Sequence, residues 1–288
     1  MKKPLDGKIA IITGGGRGLG RAMALGYAEA GASGIVITAA RNRGQIEDVA
    51  AEINDVAGRN IGIAIQANVT DLNACQEVAQ ETTENFGRID ILINNAGLGQ
   101  GMMADDRVKF YEGSPAGWAS IIDANINGPF NMAYAVVQTM LQQKSGRILN
   151  VTKSRSSMYR PNESPYGPSK AALEAMTLCW AQDLLDSGVT VNSIAPGGAV
   201  ETEFVLPAVR ATASQTRKPY LPAEIIVPPA IWLASDDASE ITGCRFIGSK
   251  WDSNLPPDEA AEASREPTVF LPPERDGILT KTWEPSKS

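Results

Sequence analysis

Residues 8–28 constrain this chain more than any other stretch. Lys8 to Thr13 reads KIAIIT, a short apolar run of the kind that forms a buried strand. Gly14-Gly15-Gly16-Arg17-Gly18-Leu19-Gly20 follows at once, and Arg21 to Ala28 then takes up a helical period. Glycines let the backbone come close to another group. A helix beginning there offers unpaired N–H groups and the positive end of its dipole. The order strand, glycine turn, helix is what a phosphate cradle requires; the plainer alternative is a tight β–α turn. The spacing Thr13-Gly14-x-x-x-Gly18-x-Gly20 departs from the common Gly-x-Gly-x-x-Gly form.

The alternation continues. Strands are expected at residues 34–40, 61–67, 89–94, 146–152, 189–195 and 243–248. Helices are expected at residues 45–57, 71–86, 118–141, 166–186 and 223–234, with Asp71 as an N-cap. Alternating strands and helices imply right-handed crossovers and a parallel doubly wound sheet. Such sheets bind ligands at the carboxyl ends of their strands, so Asn94-Asn95-Ala96-Gly97 shares a rim with the glycine loop. Residues 98–117 form a loop without clear period, long enough to be functional, and residues 200–222 a candidate lid. Residues 1–252 read as one domain. Residues 253–288, rich in Pro and Glu, read as an extended or partly disordered arm. It is expected to lie on a neighbouring subunit or over the site.

The second strand ends at Ala39-Ala40, where an NAD site usually carries an acid for the ribose hydroxyls. Arg41 follows directly, and Arg17 stands in the glycine loop across the same pocket. Two guanidiniums and no carboxylate suit a 2′-phosphate, so NADP(H) is expected over NAD. The plainer alternative is a pair of solvated surface arginines.

A second chemical group lies far along the chain. Tyr166 and Lys170 are four apart, hence on one helix face, and Pro168 between them fits only the first turn. A neighbouring ammonium is expected to lower the phenol from its ordinary pKa of about 10 toward the working range. Asn125 sits inside an apparent helix, where asparagine needs solvent or a polar task.

Composition excludes several classes. None of the 288 residues is histidine, which removes His-based acid–base chemistry, Ser-His-Asp triads and histidine metal sites. A net charge of −7 argues against nucleic acid. No apolar run approaches the roughly 20 residues that span a bilayer. The three cysteines, Cys75, Cys179 and Cys244, lack metal-ligand spacing and suit free thiols in a reducing compartment. With no signal-peptide core near the N-terminus, a cytoplasmic location is expected, without metal, nucleic acid or membrane as partner.

Together, Thr13-Gly14-x-x-x-Gly18-x-Gly20, Asn94-Asn95-Ala96-Gly97, Asn125, Tyr166-x-x-x-Lys170 and Pro196-Gly197 resemble the classical short-chain dehydrogenase/reductase family. They occur in family order from about residue 6 to 250. The resemblance implies a single Rossmann-type domain with a seven-stranded parallel sheet and helices on both faces. It implies an oxidoreductase moving a hydride between a nicotinamide and a carbonyl or secondary alcohol of a small molecule. Tyr166 would be the acid/base, Lys170 would bind the nicotinamide ribose, and Asn125 would hold a relay water. The implied cofactor set is Thr13, Gly14, Arg17, Gly18, Leu19, Gly20, Arg41, Asn68, Val69, Asn95, Ala96, Gly97, Tyr166, Lys170, Pro196, Gly197 and Thr202. A homodimer or homotetramer is implied too. Strict counting puts Lys153 where the family has its substrate-orienting serine, with Ser154 one residue off. The reading chosen is that a local shift brings Ser154 into the site; the alternative is that Lys153 polarises the substrate or binds an acidic one. The rival functions are an NADPH-binding regulatory protein with little catalysis, or an epimerase or dehydratase doing internal redox work. Gln100, Met102, Met103, Arg155, Tyr159 and Arg160 are candidate lining for the substrate pocket.

Overall fold

Ile11 turns to one side of its strand while Ala10 and Ile12 turn to the other, and that period of two organises two cores. The computed structural model describes residues 3–200 and 220–268. Ala10, Ile12, Ile35, Ile37, Ile91 and Ile93 pack in one core with Met23 and Tyr27 of helix α1 (Gly18–Glu29) and Leu233 of α8 (Val227–Ala234). Ile11, Val36, Leu92, Ile148 and Val191 fill the other, against α3 (Leu72–Phe86) and α5 (Gly128–Gln143). Strands buried on both faces read as continuous apolar runs because neither face meets water.

The strands are β1 (Ile9–Thr13), β2 (Gly34–Ala39), β3 (Gly62–Gln66), β4 (Ile91–Asn94), β5 (Gly146–Val151), β6 (Val189–Ala195) and β7 (Arg245–Ile247), all parallel. Their order is β3-β2-β1-β4-β5-β6-β7, closed at the far edge by β8 (Arg265–Glu266). The chain steps outward from β1 to β3, then returns to start again at β4 on the other side of β1. At that switch point the loop after β1 and the loop after β4 face each other, and a crevice opens between them. α2 (Arg43–Ala57) is capped by Asn42, which accepts from the Gln45 N–H, and α3 by Asp71, as its sequence foretold.

Three expectations are corrected. The sheet has eight strands rather than seven, and the eighth is antiparallel, pairing Arg245 with Glu266 and Phe246 with Arg265. It comes from the stretch expected to be an arm. Residues 257–264 instead form α9 (Pro257–Ser264), with Asp258 and Glu259 in its first turn and Ala260 and Ala261 buried. Small alanines under a charged exterior gave composition nothing to register. The single helix expected over residues 118–141 is α4 (Pro115–Ile122), a π-helical turn at Asp123–Asn127, and α5. Pro129 has no N–H to return to the Asn125 carbonyl, and the wider turn accommodates that loss. The Tyr166 helix, α7 (Tyr166–Asp183), ends slightly early. The lid stretch 201–219 and residues 269–288 lie outside the described residues.

Candidate active site

The two loops of the switch point are tied by one threonine and one asparagine. Thr13 is buried; its Oγ1 donates to the Ile93 carbonyl (3.2 Å) and accepts from the N–H groups of Asn95 and Ala96 (3.0 Å each). Asn95 Nδ2 donates back to the Thr13 and Gly14 carbonyls at 2.9 and 3.0 Å. The approach is so close that a Cβ on Gly20 would sit 2.3 Å from the Gly14 oxygen. Gly14 (φ 65°) and Gly18 (φ 52°) hold backbone angles that favour glycine.

This rim opens on a cleft of about 870 Å³. Gly14, Arg17, Gly18 and Leu19 line it on one side, Asn95, Ala96 and Gly97 on another, with Arg41, Asn68, Val69 and Pro196 around them. Thr13, Gly20, Asn125 and Gly197 stand behind the wall and shape it. Gly197 (φ 93°) lies where a Cβ would strike the Ser249 hydroxyl. Thr202 lies outside the described residues.

Tyr166 opens α7 at the cleft, and Lys170 sits one turn deeper, its Nζ donating to the Val151 carbonyl at 2.8 Å. Asn125 holds that turn. Its Oδ1 accepts from Leu98 N–H (2.7 Å), and its Nδ2 donates to the Leu98 carbonyl (2.9 Å) and to Ser169 Oγ (3.0 Å). Ser169 Oγ in turn donates to the Tyr166 carbonyl at 2.8 Å. The π-helical turn thus aims one asparagine at the Ser169 hydroxyl, between tyrosine and lysine.

The electrostatics correct the expected direction. Burial, and then the charge of Glu163, oppose the phenolate and raise the Tyr166 pKa above its ordinary value. Lys170 is itself pushed down to about 8, by burial first and by the Lys153 cation second. Its ammonium donates to the Val151 carbonyl, and desolvation dominates at the tyrosine.

Lys153 lies over the Tyr166 ring, its Nζ 4.4 Å from the centroid, and donates to Glu163 Oε2 at 2.8 Å. The other oxygen of Glu163 pairs with Arg107 at 3.0 Å. Ser154 also lines the cleft, at the start of α6 (Arg155–Met158), where its carbonyl accepts from the Ser157 N–H and hydroxyl. Behind this shoulder Arg245, fully buried, forms an ion pair with Glu174. It also donates to Thr152 Oγ1 (3.2 Å) and the Lys153 carbonyl (2.8 Å), and reaches Glu266 of β8.

Of the candidate pocket residues, Gln100 and Arg160 line the cleft. Arg155 turns away and donates to the carbonyls of Pro267 and Thr268; Met103 is buried and Tyr159 exposed. Glu163, Arg107, Glu174 and Arg245 were missed. The available signal was a charged residue inside an apolar helix or strand, as at Glu174 and Arg245. Among the described residues no helix is long and apolar enough to cross a membrane, and no cluster of His, Cys, Asp or Glu could hold a metal.

Residues 8–212 match the short chain dehydrogenase family. The chain belongs to that family. A 3-oxoacyl-(acyl-carrier-protein) reductase of Synechocystis is 37% identical over 193 residues, 67% of this chain and 74% of the relative. The reductase of the same name from Thermotoga maritima is 32% identical over 83% of this chain and 95% of its own. A solved short-chain type dehydrogenase/reductase from Mycobacterium marinum superposes with a TM-score of 0.75 at 29% identity. That match covers 84% of this chain and 94% of that one. This short-chain dehydrogenase is therefore an oxidoreductase with the family's Rossmann-type fold.

Proposed function

We propose that this short-chain dehydrogenase transfers a hydride between NADP(H) and the carbonyl or secondary alcohol carbon of a small molecule. The observation that carries the reading is Tyr166 and Lys170 one turn apart at the cleft, facing a glycine rim too crowded for side chains. The residues fit the cofactor. Gly14, Gly18 and the N-terminus of α1 offer backbone N–H groups to the diphosphate. Arg17 and Arg41 take the 2′-phosphate, beside Ala39 and Ala40 and no carboxylate. Thr13 and Asn95 keep the two halves of the rim in register. The nicotinamide supplies or accepts the hydride when bound.

Tyr166 gives the reducing direction its proton. A phenol held above its ordinary pKa stays protonated at neutral pH and donates to a developing alkoxide. Lys170 holds the nicotinamide ribose and adds positive charge beneath the reacting oxygen. Asn125 fixes the first turn of α7, so that both side chains keep their places. Lys153 or Ser154 steadies the substrate oxygen by a hydrogen bond. Relatives named for a 3-oxoacyl group make a 3-oxo compound the first carbonyl to test. Trp118, Phe130 and Tyr134, exposed along α4 and α5, support assembly as a homodimer or homotetramer.

Tyr166→Phe is expected to lower NADPH-dependent carbonyl reduction by about 10²–10⁴-fold while NADPH binding persists. Unchanged turnover removes the tyrosine from its role. Lys153 stacked on Tyr166 in the family's serine position favours a second reading, an NADPH-binding regulatory protein or one doing internal redox work. Tight NADPH binding without net NADPH oxidation on a broad carbonyl panel would support it.

A further inference from the structure

The cleft carries its positive charge at two ends. Arg17 and Arg41 stand by the glycine rim, where a phosphorylated cofactor accounts for them. Lys153 lies over Tyr166 at the other end, and Arg107 and Arg160 line the same cleft. Glu163 is the single carboxylate among them in the described cleft lining. The other acid there, Asp123, accepts from Asn127 Nδ2 at 2.9 Å within its own turn. Three cations around one carboxylate make a positive patch in a chain whose net charge is −7. Glu163 links Arg107 and Lys153 directly, and the charge of Arg160 reaches Lys153.

The way Glu163 sits shows what the cluster accepts. It is buried, and it bridges Arg107 (3.0 Å) and Lys153 (2.8 Å) with its two oxygens, so the gap between these cations has the dimensions of a carboxylate. An ammonium carries three donors and a guanidinium five, more than one carboxylate can absorb. A second polar feature belongs to the same cleft lining. Gln100, 7% exposed in the cleft wall, gives its Nε2 to the Ser164 carbonyl at 2.8 Å, while its buried Oε1 has no hydrogen-bond partner. A buried acceptor without a donor is costly unless something bound there supplies one.

We propose that Arg107, Lys153 and Arg160 form a carboxylate subsite, and that the substrate is a short oxo acid or its hydroxy acid counterpart. The proposal rests on the hydride-transfer reading above. With Lys153 over the Tyr166 ring, the carboxylate lies near the reacting carbon, as in α- or β-oxo acids. In the reducing direction the C=O π bond breaks. A C–H bond forms with hydride from NADPH, which leaves as NADP⁺, and an O–H bond forms with the Tyr166 proton. The carboxylate is unchanged.

The test compares acids with their esters. Acetoacetate and pyruvate, each against its methyl ester, are titrated by calorimetry into protein loaded with NADP⁺ and then assayed with NADPH. At least one acid is expected to bind about tenfold or more tighter than its ester. The ratio falls to about one in Arg107→Ala/Arg160→Ala. Arg160→Gln, at an exposed position, narrows the ratio without burdening the fold, and unaltered NADPH affinity certifies each variant. If no acid outbinds its ester, or if the ratio survives both variants, Lys153, Glu163 and Arg107 form only a structural ion network and the proposal falls. An acid preference in binding with no NADPH oxidation keeps the subsite and removes the hydride-transfer reading. Equal oxidation of NADPH by acid and ester, with equal binding, does the reverse.

Discussion

The glycine rim and the Thr152–Tyr166 shoulder flank the same cleft, but different forces hold them. The rim is backbone packed against backbone. Its ties, Thr13 and Asn95, are neutral and short-range in space, and a missing side chain does most of the shaping. The shoulder is held by charge: Lys153 to Glu163 to Arg107 in front, Glu174 to Arg245 to Glu266 behind. Neutral hydrogen bonds and close packing give a rigid surface that suits a cofactor common to a whole family. Buried ions are costly to desolvate and depend on every partner being present. They tie the proposed substrate end to residues far along the chain, where one family member can differ from the next.

The sharpest way to break the comparison is at its most buried charge. Arg245→Met leaves Glu174 as an unpaired carboxylate in the interior and strips donors from Thr152 and the Lys153 carbonyl. Loss of about 3–5 kcal/mol of stability is expected, read as the shift in a urea midpoint. Adding Glu174→Leu should recover much of it, because the uncompensated charge goes with its partner. If the double variant is no better than the single, the cost came from lost packing and hydrogen bonds, and the shoulder is not governed by charge.

Gly20→Ala asks the matching question of the rim. The added methyl meets the Gly14 carbonyl and Asn95 Nδ2, so the strain falls on the loop proposed to hold the diphosphate. Overpacking of this kind costs about 1–3 kcal/mol. NADPH affinity is expected to fall at least about tenfold, on the scale of 1.4 kcal/mol per decade. Substrate selectivity among carbonyls with saturating cofactor should stay as it was. A change in selectivity with intact NADPH affinity would show the two regions to be one unit.

These forces also decide what could be read before the fold was known. Gly14, Gly18 and Gly20 announce a crowded turn because the constraint is local, and the same holds for Pro168 in a helix first turn. The alternating strands followed from apolar runs of the right length. Glu174 and Arg245 stand 71 positions apart, and nothing in either neighbourhood names the other. The π-helical turn at Asp123–Asn127 could have been suspected from Pro129, yet its purpose, aiming Asn125 at Leu98 and Ser169, needs the fold. The arm misled because its helix buries alanines, which composition does not count as a core. The Tyr166 shift failed for a different reason: Lys170 and Glu163 both stand within four residues of it in the sequence, whereas the burial that dominates the shift shows only in the fold.

Glu266 tests how far the shoulder depends on the sheet's last strand. Burial works against its carboxylate, but hydrogen bonds and charge from Lys250 and Arg245 outweigh it and hold the pKa below the ordinary value of 4.5. A lowered folded pKa means that the contribution to stability is full above the ordinary value. It is lost as pH falls through the lower folded one. Because the group is partly exposed, screening limits the effect, and Glu266→Gln should cost about 1 kcal/mol or less at neutral pH. Its stability should depend less on pH than that of the parent protein as the pH falls from the ordinary carboxylate value of 4.5 through the lower folded one. An identical acid limb in both would detach Glu266 from the shoulder.

The smallest effect is a displacement of one limb of a pH profile. Lys170 is depressed to about 8, by burial first and by the Lys153 charge second. A lysine with a lowered pKa carries its charge below that value and loses it above, whereas Tyr166, raised by burial and by Glu163, keeps its proton well past the same point. Carbonyl reduction is therefore expected to decline as pH rises through about 8, with the loss belonging to the ammonium and not to the phenol. Lys153→Met removes the second cause and keeps the first. The alkaline limb should then move upward, since an isolated ammonium is easier to keep protonated than one beside another cation. The shift is confined to the limb, so it is measured as kcat/KM against pH with NADPH held saturating. An alkaline limb that stays in place in Lys153→Met would mean that the two ammoniums do not sense each other. The rim and the shoulder would then be electrically separate where Lys170 joins them.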